Sequence, residues 1–335
     1  MSAPEPASPA RLWQLVNGFT AYFAVRAADE LGVFAALAEG PADPATLAER
    51  CGADPGRLSV LCGGNIAAGT LELGPGGYAL TDFAAAFLVP GRASYLGALL
   101  RRSPGPFENW LALADTVRGA PPPRDVGGEA GEFFTELVEA TFPAQLAAAR
   151  ASVASLLGDE LPATVRLLDL GAGGAPWSIA VLEARPAAVA VVNDLPAVLE
   201  VARRRLAEAG LSGRSELLAG DYWSLEPPAP FDLVVLGHVC RAEGGEGAAA
   251  LVARAGGWLA PGGLLLVAEY LLDDDRRGPA QAQLLGTTMM ASTRRGATFT
   301  ASEARGWLGA AGLEEVALAS PLPPTAVLLG RRPPP

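Results

Sequence analysis

Lysine is absent from this sequence of 335 residues, so all 25 basic residues are arginine, against 36 acidic residues. The formal net charge of −11 disfavours nucleic acid as a partner, because affinity for a phosphate backbone comes from clustered cations. Cysteine is scarce as well. Cys51, Cys62 and Cys240 are odd in number and lack a CxxC spacing, so neither a disulfide framework nor a structural zinc site is indicated.

Long apolar runs are also missing. No stretch approaches the roughly 20 apolar residues that a membrane span needs, and residues 1–13 lack a basic region followed by an apolar one. We therefore expect no membrane association, and a reducing cytoplasm fits the cysteine usage. Half of the residues are hydrophobic, which is enough for the cores of two domains.

The N-terminal part, residues 10–100, has a helical pattern that ends in a hairpin. Apolar residues recur at helical spacing on a face expected to be either core or a dimer interface: Leu12, Leu15, Val16, Phe19, Phe23, Ala24, Ala27 and Ala28. Two Asp-Pro pairs, at residues 43–44 and 54–55, have the form of helix starts, and residues 69–81 resemble a small hairpin around a glycine-rich turn. Helices followed by a hairpin predict a winged helix.

A winged helix often binds DNA, but this one is poor in cations. Between residues 54 and 69, where a recognition helix would lie, Arg57 is the single basic residue. We therefore favour a packing role over DNA binding.

Residues 101–160 form a helical, proline-punctuated connector. It carries aromatic residues that have two interpretations, ordinary core or the wall of a substrate pocket. The pocket candidates from this segment are Phe107, Trp110, Phe134 and Phe142.

From residue 161 to residue 332 the pattern changes to apolar strands that alternate with helices. This alternation predicts an α/β fold with a doubly wound, Rossmann-like parallel sheet, whose ligands bind at the carboxyl ends of the strands. Two closing segments, residues 313–317 and 326–329, are predicted to add a hairpin at the sheet edge. The expected sheet strands cover residues 165–170, 189–193, 215–218, 233–236 and 264–268.

A glycine-rich turn, Asp169 to Ala175, joins the first of these strands to a helix. Such a turn is a weak signal alone, because several nucleotide-binding sheets share it. A dinucleotide site would have G-x-G-x-x-G, but Pro176 stands at the third glycine position. The D-x-G-x-G form instead suits a cofactor without pyrophosphate, because Asp169 can help to hold an ammonium group.

Acidic residues also end the next two strands. Asp194 is placed to accept hydrogen bonds from both ribose hydroxyls, and Asp221 from an adenine amino group, while Tyr222 covers the ring. Helix capping is the alternative role for each aspartate. Three acids at strand ends in register favour a cofactor site.

On these motifs the chain resembles the small-molecule O-methyltransferase family with an N-terminal dimerisation domain, in its bacterial secondary-metabolism form. The resemblance covers nearly the whole chain and implies the cofactor S-adenosylmethionine and a homodimer built through the winged helix. It implies that Gly171 contacts the methionyl part, Asp194 the ribose, and Asp221 with Tyr222 the adenine. The predicted cofactor set is completed by Gly173, Leu195, Gly220 and Gly237. The supporting stretches are LGVFAALAEGPADPATLAERCG, YALTDFAAAFL, LLDLGAGGAPWSIA, NDLPAVLEVARRRL, AGDYW, FDLVVLGHVC, LAPGGLLLVAEY and ASEARGWLGAAGLEE.

The sequence departs from the family where catalysis is expected. Many members place a histidine after the fourth strand as a general base on a phenol, and an alignment without gaps puts Arg241 at that position. Arginine stays protonated at neutral pH and cannot act as a base. Of the two acids that usually orient the base, Glu269 matches one, whereas Thr298 or a neighbour occupies the place of the other.

Two residues beside this position have a chemical and a structural interpretation. His238, the single histidine, is either a satisfied polar residue or a proton acceptor for a phenol or an enolisable carbon. Arg241 is either a surface cation or a group that binds a carboxylate or stabilises a phenolate or enolate. The predicted catalytic set is His238, Arg241 and Glu269.

The remaining pocket candidates flank strand ends or a late helix, and plain packing is the alternative for each: Trp177, Trp223, Met289, Met290 and Phe299. Together they predict a flat apolar or aromatic acceptor. The sequence thus indicates a methyltransferase, with oxygen as the default target and carbon or nitrogen open. One alternative is a cofactor-binding protein that catalyses a non-methylating reaction. A third possibility is a regulator that binds DNA.

Overall fold

A computed structural model describes residues 8–102, 105–127, 132–158, 160–228 and 230–334. The chain divides into two compact units, Met1–Ser103 and Pro104–Pro335. Within the described ranges, no helix combines the length and the apolarity required to cross a bilayer.

The first unit is helical with one small hairpin, as the winged-helix pattern predicts. Its elements are α1 (Ala10–Glu30), α2 (Val33–Ala36), α3 (Pro44–Arg50), α4 (Pro55–Ala67), β1 (Leu71–Gly74), β2 (Gly77–Leu80), α5 (Asp82–Phe87) and α6 (Ala98–Arg102). Both predicted aspartate caps are present: Asp43 accepts hydrogen bonds from Ala45 N and Thr46 N, and Asp54 accepts one from Arg57 N at 2.8 Å.

The apolar stripe on α1 lies outside the core of this unit. The core packs α1 to α5 around Phe34, Leu47 and Leu71. By contrast, the stripe side chains are more than half exposed: Leu12, Trp13, Leu15, Val16 and Phe19. The predicted face is therefore divided. Its N-terminal part, from Leu12 to Phe19, lies outside the unit's core, whereas Ala28 belongs to that core and Phe23, Ala24 and Ala27 are half-buried.

The second unit opens with short helices and one long helix and continues into an alternating α/β segment. The helices before the sheet are α7 (Phe107–Leu111), α8 (Leu113–Val117) and α9 (Glu132–Leu156). The rest comprises β3 (Arg166–Leu170), α10 (Pro176–Ala184), β4 (Val189–Asp194), α11 (Pro196–Glu208), β5 (Ser215–Ala219), β6 (Phe231–Gly237), α12 (Cys240–Gly257), β7 (Leu259–Glu269), α13 (Ala280–Ser292), α14 (Ala301–Ala310), β8 (Glu314–Leu322) and β9 (Thr325–Arg331).

The seven strands of this unit form one sheet in the order β5-β4-β3-β6-β7-β9-β8. The first five of these are parallel, and β9 and β8 add an antiparallel hairpin at the edge, as predicted. The chain order reverses between β3 and β6. In a doubly wound sheet, ligands bind at such a switch point, outside the carboxyl ends of the strands.

Side chains of the central strands alternate between two apolar layers. Leu167 packs with α9, α10 and α11, whereas Leu168 packs with α12 and α14 on the opposite face. A strand that is buried on both faces has no polar alternation, which explains the continuous apolar runs in the sequence. The polar residues at the strand ends, among them Asp169 at 0% exposure and Glu269 at 2%, are therefore the exceptions that mark a site.

Candidate active site

The glycine-turn site consists of the Asp169–Ala175 turn, Asp194 and Tyr222. Gly171 and Gly173 both have φ of +59°, a left-handed conformation that glycine adopts without a steric penalty. Gly173 N donates a hydrogen bond of 2.7 Å to Asp194 Oδ2, and Leu195 N donates one of 2.7 Å to Asp194 Oδ1. The end of β4 therefore fixes the glycine turn of the neighbouring strand.

Asp169 lies fully buried below the turn. Ser178 donates two hydrogen bonds to its Oδ2, from the backbone N at 3.1 Å and from Oγ at 2.7 Å. Its other oxygen, Oδ1, is buried and has no hydrogen-bond partner among the described residues. Burial raises the pKa of this carboxyl to about 7, against the opposing effect of the Ser178 hydrogen bonds. Asp169 thus caps α10 with one oxygen and leaves the other without a partner.

The turn after β5 brings Tyr222 next to the glycine turn. A Cβ built on Gly171 would lie 3.7 Å from Tyr222 Cε1 and 3.0 Å from Val239 Cγ2. Asp221 is exposed, and its Oδ1 accepts a hydrogen bond from Trp223 N. The backbone N of Gly220 donates to Asp194 O at 3.1 Å. The ends of β3, β4 and β5 therefore meet, as the parallel topology predicts.

Glu243 supports this side of the site, and sequence reasoning missed it. Tyr222 Oη donates a 2.5 Å hydrogen bond to Glu243 Oε1, and Trp223 Nε1 donates one of 3.2 Å to Oε2. Burial and the neighbouring Glu243 carboxylate raise the pKa of Tyr222, so its hydroxyl stays protonated. In sequence, Glu243 looks like any acid in the first turn of a helix, and no local signal reveals its partners.

The long helix α9 covers the glycine turn from the other direction. A Cβ on Gly174 would lie 2.7 Å from Phe142 Cδ2, and one on Gly173 would lie 3.2 Å from Val138 Cγ2. The Arg205 guanidinium stacks over the Phe142 ring, 4.5 Å from its centroid. Phe142, a pocket candidate by sequence, therefore contacts the glycine turn, and sequence reasoning missed Val138.

The Arg241 site consists of His238, Arg241, Glu269 and Tyr270, at the ends of β6 and β7. Arg241 N donates to Glu269 Oε1 at 3.0 Å, and Arg241 Nε donates to His238 O at 3.1 Å. The Arg241 guanidinium lies over the Tyr270 ring, 5.3 Å from its centroid. The three residues that the sequence proposed as catalytic thus lie together.

His238 is enclosed in this cluster and has φ of +64°, an uncommon backbone conformation for a residue with a side chain. Its Nδ1 lies 3.8 Å from Glu269 Oε2, beyond hydrogen-bond distance, and its Nε2 lies 3.4 Å from Thr325 Oγ1. Burial and the Arg241 charge lower the pKa of His238, which keeps its imidazole neutral. Burial alone would raise the pKa of Glu269, but the charge of Arg241 and the His238 contact reverse this and keep it ionised.

The other pocket candidates occupy different environments. Trp177 is 1% exposed and lies against Gly237, where a Cβ would be 2.5 Å from its Cδ1. Phe299 is 5% exposed and packs edge-on against Trp307 at 4.7 Å. Neither aromatic ring has an open face in this structure.

Candidates on α7 and α13 lie closer to the surface. Phe107, Trp110 and Met289 are half-buried, whereas Met290 is 37% exposed. Helix α13 packs against α7, and Val126 N donates to Ser292 O at 2.9 Å, so these segments form one wall. Phe134 is also half-buried, in edge contact with Phe133.

Comparison with known proteins identifies the class. A doubly wound sheet with a glycine turn and acids at three strand ends is typical of nucleotide-type cofactor enzymes. Residues 145–314 match the O-methyltransferase domain, and residues 13–90 match the O-methyltransferase dimerisation domain. The chain belongs to this O-methyltransferase family and is an S-adenosylmethionine-dependent methyltransferase.

Its similar proteins include enzymes named for O-methylation. The chain is 31% identical to a 3-hydroxy-5-methyl-1-naphthoate 3-O-methyltransferase of Streptomyces sahachiroi, over 93% of this chain and 92% of the relative. It is 27% identical to a tetracenomycin polyketide synthesis 8-O-methyltransferase of Streptomyces glaucescens, over 97% of each chain. Human N-acetylserotonin methyltransferase in complex with S-adenosylmethionine superimposes with a TM-score of 0.84 at 24% identity, covering 99% of this chain and 100% of the other.

These relatives confirm the cofactor and the methyltransferase activity that the sequence predicted. Further relatives are named as methyltransferases for carbon and for nitrogen. None of the relatives cited here is named as an enzyme of a non-methylating reaction, so that alternative has no support.

Proposed function

We propose that this enzyme methylates a hydroxyl group on a small aromatic natural-product intermediate. The observation that carries this proposal is the similarity over nearly the whole chain to an enzyme that is named for O-methylation of a hydroxynaphthoate. The apolar side chains on α7 and α13 support it, because Phe107, Trp110 and Met289 give that wall an aromatic and thioether surface.

S-adenosylmethionine fits the glycine-turn site. The Asp169 Oδ1 atom, buried and without a partner, is a suitable acceptor for the cofactor's ammonium group, and the left-handed Gly171 lets the backbone approach the methionyl part. We assign the ribose to Asp194, whose oxygens each accept a backbone hydrogen bond and keep a lone pair free. Asp221 and Tyr222 are assigned to the adenine, with Gly173, Leu195, Gly220 and Gly237 as the backbone around the cofactor.

When bound, this cofactor would supply a methyl group on a sulfonium, which is transferred to an in-line nucleophile with S-adenosylhomocysteine as the leaving group. The protein's part is then chiefly to hold the acceptor oxygen in line and to exclude water. Arg241 cannot take a proton from the acceptor. His238 and Glu269 hold the Arg241 backbone and side chain through the contacts described above, and we propose that both residues act through Arg241.

Methylation of nitrogen or carbon is the second candidate. The specific observation in its favour is Arg241 at the position where the resemblance to the family leads us to expect a histidine base. An amine or a stabilised carbanion needs no strong base from the protein.

We further propose a homodimer built through residues 10–100. The exposed α1 stripe from Leu12 to Phe19 supports this, since contiguous exposed apolar side chains mark an interaction surface. Residues 101–160 would serve as the connector and pocket wall, and residues 161–332 as the cofactor domain. The free cysteines Cys51, Cys62 and Cys240 fit a cytoplasmic enzyme.

The test uses the full chain with S-adenosylmethionine and 3-hydroxy-5-methyl-1-naphthoate, the substrate for which the relative is named. Formation of S-adenosylhomocysteine with equal amounts of an O-methyl ether, identified by mass spectrometry and NMR, is the expected result. An Asp194→Ala variant serves as the control that lacks the proposed ribose contact. Methylation of aromatic amines but of no hydroxyaromatic compound would contradict the proposal.

A further inference from the structure

We propose that the Arg241 guanidinium binds an anionic oxygen of the acceptor, which makes the enzyme selective for acidic aromatic acceptors. This inference rests on the proposed function and narrows its substrate class. Glu269 acts as a positioning residue for Arg241.

One edge of the Arg241 side chain is fixed by the protein. Its Nε donates to His238 O at 3.1 Å and lies 3.8 Å from Glu269 Oε2, while the guanidinium plane stacks over Tyr270. Its backbone N is held by the other oxygen of Glu269 at 3.0 Å. A side chain that is fixed in this way loses little further conformational entropy when it binds a ligand.

The other edge of the guanidinium is free. No described protein atom accepts a hydrogen bond from the two terminal nitrogens of Arg241, which is 17% exposed in its side chain. By contrast, Arg294 and Arg295, on the loop after α13, are 69% and 74% exposed, and each has a carboxylate partner, Asp125 at 3.3 Å and Glu243 at 4.0 Å. A shielded guanidinium with two free N–H groups in one plane matches the geometry of a carboxylate or phenolate oxygen.

The charge balance of the cluster also favours an anion. Glu269 is ionised and His238 is neutral, for the reasons given above, so Arg241 and Glu269 together carry no net charge. The Glu269 carboxylate approaches the guanidinium at Nε, 3.8 Å from Oε2, and the terminal nitrogens donate no hydrogen bond to it. An acceptor anion at the free edge therefore meets the positive end of a fixed dipole in a region with little water.

The lack of a base at Arg241 also favours an anionic acceptor. Because Arg241 cannot take the acceptor's proton, the hydroxyl must lose it to water or to the acceptor's own neighbouring carboxylate before or as the methyl group is transferred. The anionic oxygen thus has two possible sources, a carboxylate near the hydroxyl or the phenolate itself. Both are bound by the same guanidinium edge, and experiment can separate them.

The test measures acceptor binding without turnover, by calorimetry in the presence of S-adenosylhomocysteine. The probes are 3-hydroxy-5-methyl-1-naphthoate and its methyl ester, with the wild type, Arg241→Lys and Arg241→Gln. We expect Arg241→Gln to weaken binding of the acid about tenfold or more, and Arg241→Lys to retain part of it. The affinity for S-adenosylhomocysteine alone should change less than about twofold, because Arg241 is not in the glycine-turn site.

The ester and the pH profile identify the source of the anion. If the carboxylate is bound, the wild type binds the ester much more weakly than the acid, and Arg241→Gln no longer distinguishes the two. If the phenolate is bound, acid and ester bind alike, and affinity rises through the phenol pKa in the wild type but not in Arg241→Gln. Equal binding by wild type and Arg241→Gln for both probes at every pH would overturn the inference. Methyl transfer is measured in a separate assay. If the enzyme binds the acid selectively through Arg241 but does not methylate it, the result contradicts the proposed function and leaves this inference intact.

A double-mutant cycle tests the positioning role of Glu269. Glu269→Gln retains an oxygen for Arg241 N but removes the charge beside Nε. We expect it to weaken acid binding about threefold or more in the wild-type background and less than about twofold in the Arg241→Gln background. Equal effects in both backgrounds would indicate a structural role only and would remove Glu269 from the inference.

Discussion

The two ends of the active-site region differ in how closely they follow the family pattern. At the glycine-turn site, a D-x-G-x-G turn and acids after three neighbouring strands match the pattern expected for S-adenosylmethionine. At the Arg241 site, Arg241 and Glu269 lie 28 residues apart in the chain and in contact in the structure, but Arg241 departs from the histidine that the family resemblance leads us to expect. We therefore propose that one end holds the cofactor and that the other sets how the methyl group is used.

The two sites also differ in the kind of contact that builds them. In the glycine-turn site, backbone N–H groups donate to the carboxylates of Asp169 and Asp194, and the sheet topology places both carboxylates at neighbouring strand ends. The contacts of the Arg241 site run through side chains from β6, β7 and α12. A change of one residue there can alter the chemistry without disturbing the fold.

The largest effect is expected for Asp194→Ala at the glycine-turn site. It removes the acceptor of two backbone hydrogen bonds and the proposed partner of both ribose hydroxyls. We expect the affinity for S-adenosylmethionine, measured by calorimetry, to fall about 100-fold, since hydrogen bonds to a charged group contribute about 1.5 kcal/mol or more each. Glu183→Ala, in an exposed pair with Arg150, is the matched control and should leave affinity unchanged. A loss below about threefold would refute the ribose assignment.

The second prediction concerns Asp169 and pH. Because its pKa of about 7 in the folded protein exceeds that of an unfolded aspartate, near ~3.9, folding favours the protonated form. Its stabilising contribution is complete below pH ~4 and is lost as pH rises through about 7. Asp169→Asn removes this titration and keeps an oxygen for Ser178.

Urea unfolding of both proteins without cofactor, between pH 5 and pH 8, measures the effect. We expect the wild type to lose about 1 to 3 kcal/mol of unfolding free energy relative to Asp169→Asn over this range. Parallel pH curves for the two proteins would show that the carboxyl does not titrate as its burial implies.

A smaller effect is expected for Glu243, which connects the Tyr222 side of the glycine-turn site to α12. Glu243→Ala leaves Tyr222 Oη and Trp223 Nε1 without their acceptor, so we expect about tenfold weaker binding of S-adenosylmethionine through a less ordered Tyr222. Glu243→Gln should be intermediate, because one of its two polar atoms still accepts. Glu246→Ala, exposed on the same helix, should match the wild type. If Glu243→Ala and Glu246→Ala bind equally well, the support role is excluded.

The smallest effect is expected on the acceptor wall. Met289→Leu conserves volume at a half-buried position, so we expect the acceptor KM to change about two- to threefold with no change in cofactor affinity. The exposed neighbour Met290, changed to Leu, should have less effect on KM. A larger change in KM for Met290→Leu than for Met289→Leu would place the acceptor on the other side of α13.

Much of the fold followed from local signals in the sequence. The Asp-Pro pairs predicted the starts of α3 and α4, because an aspartate directly before a proline combines the preferred N-cap residue with the preferred first helical residue. The apolar runs predicted all the sheet strands, with ends shifted by a few residues. The strand-end acids predicted which polar residues meet, because parallel strands bring their carboxyl ends to one edge.

Other features escaped the sequence because they depend on contacts between distant segments. Trp177 looked like a pocket residue but packs on Gly237, 60 residues further along the chain. Phe142 and Val138 reach the glycine turn only because α9 crosses it. The spacing of the α1 stripe shows an apolar face but does not tell whether a core or another chain covers it.

The sequence by itself determined the class of enzyme and its cofactor, because glycines and acids at strand ends act through backbone geometry that the chain order fixes. The tertiary structure decided the chemical state of Asp169, His238 and Glu269 and the free edge of Arg241. Those properties depend on burial and on charges from separate strands, which no local pattern encodes.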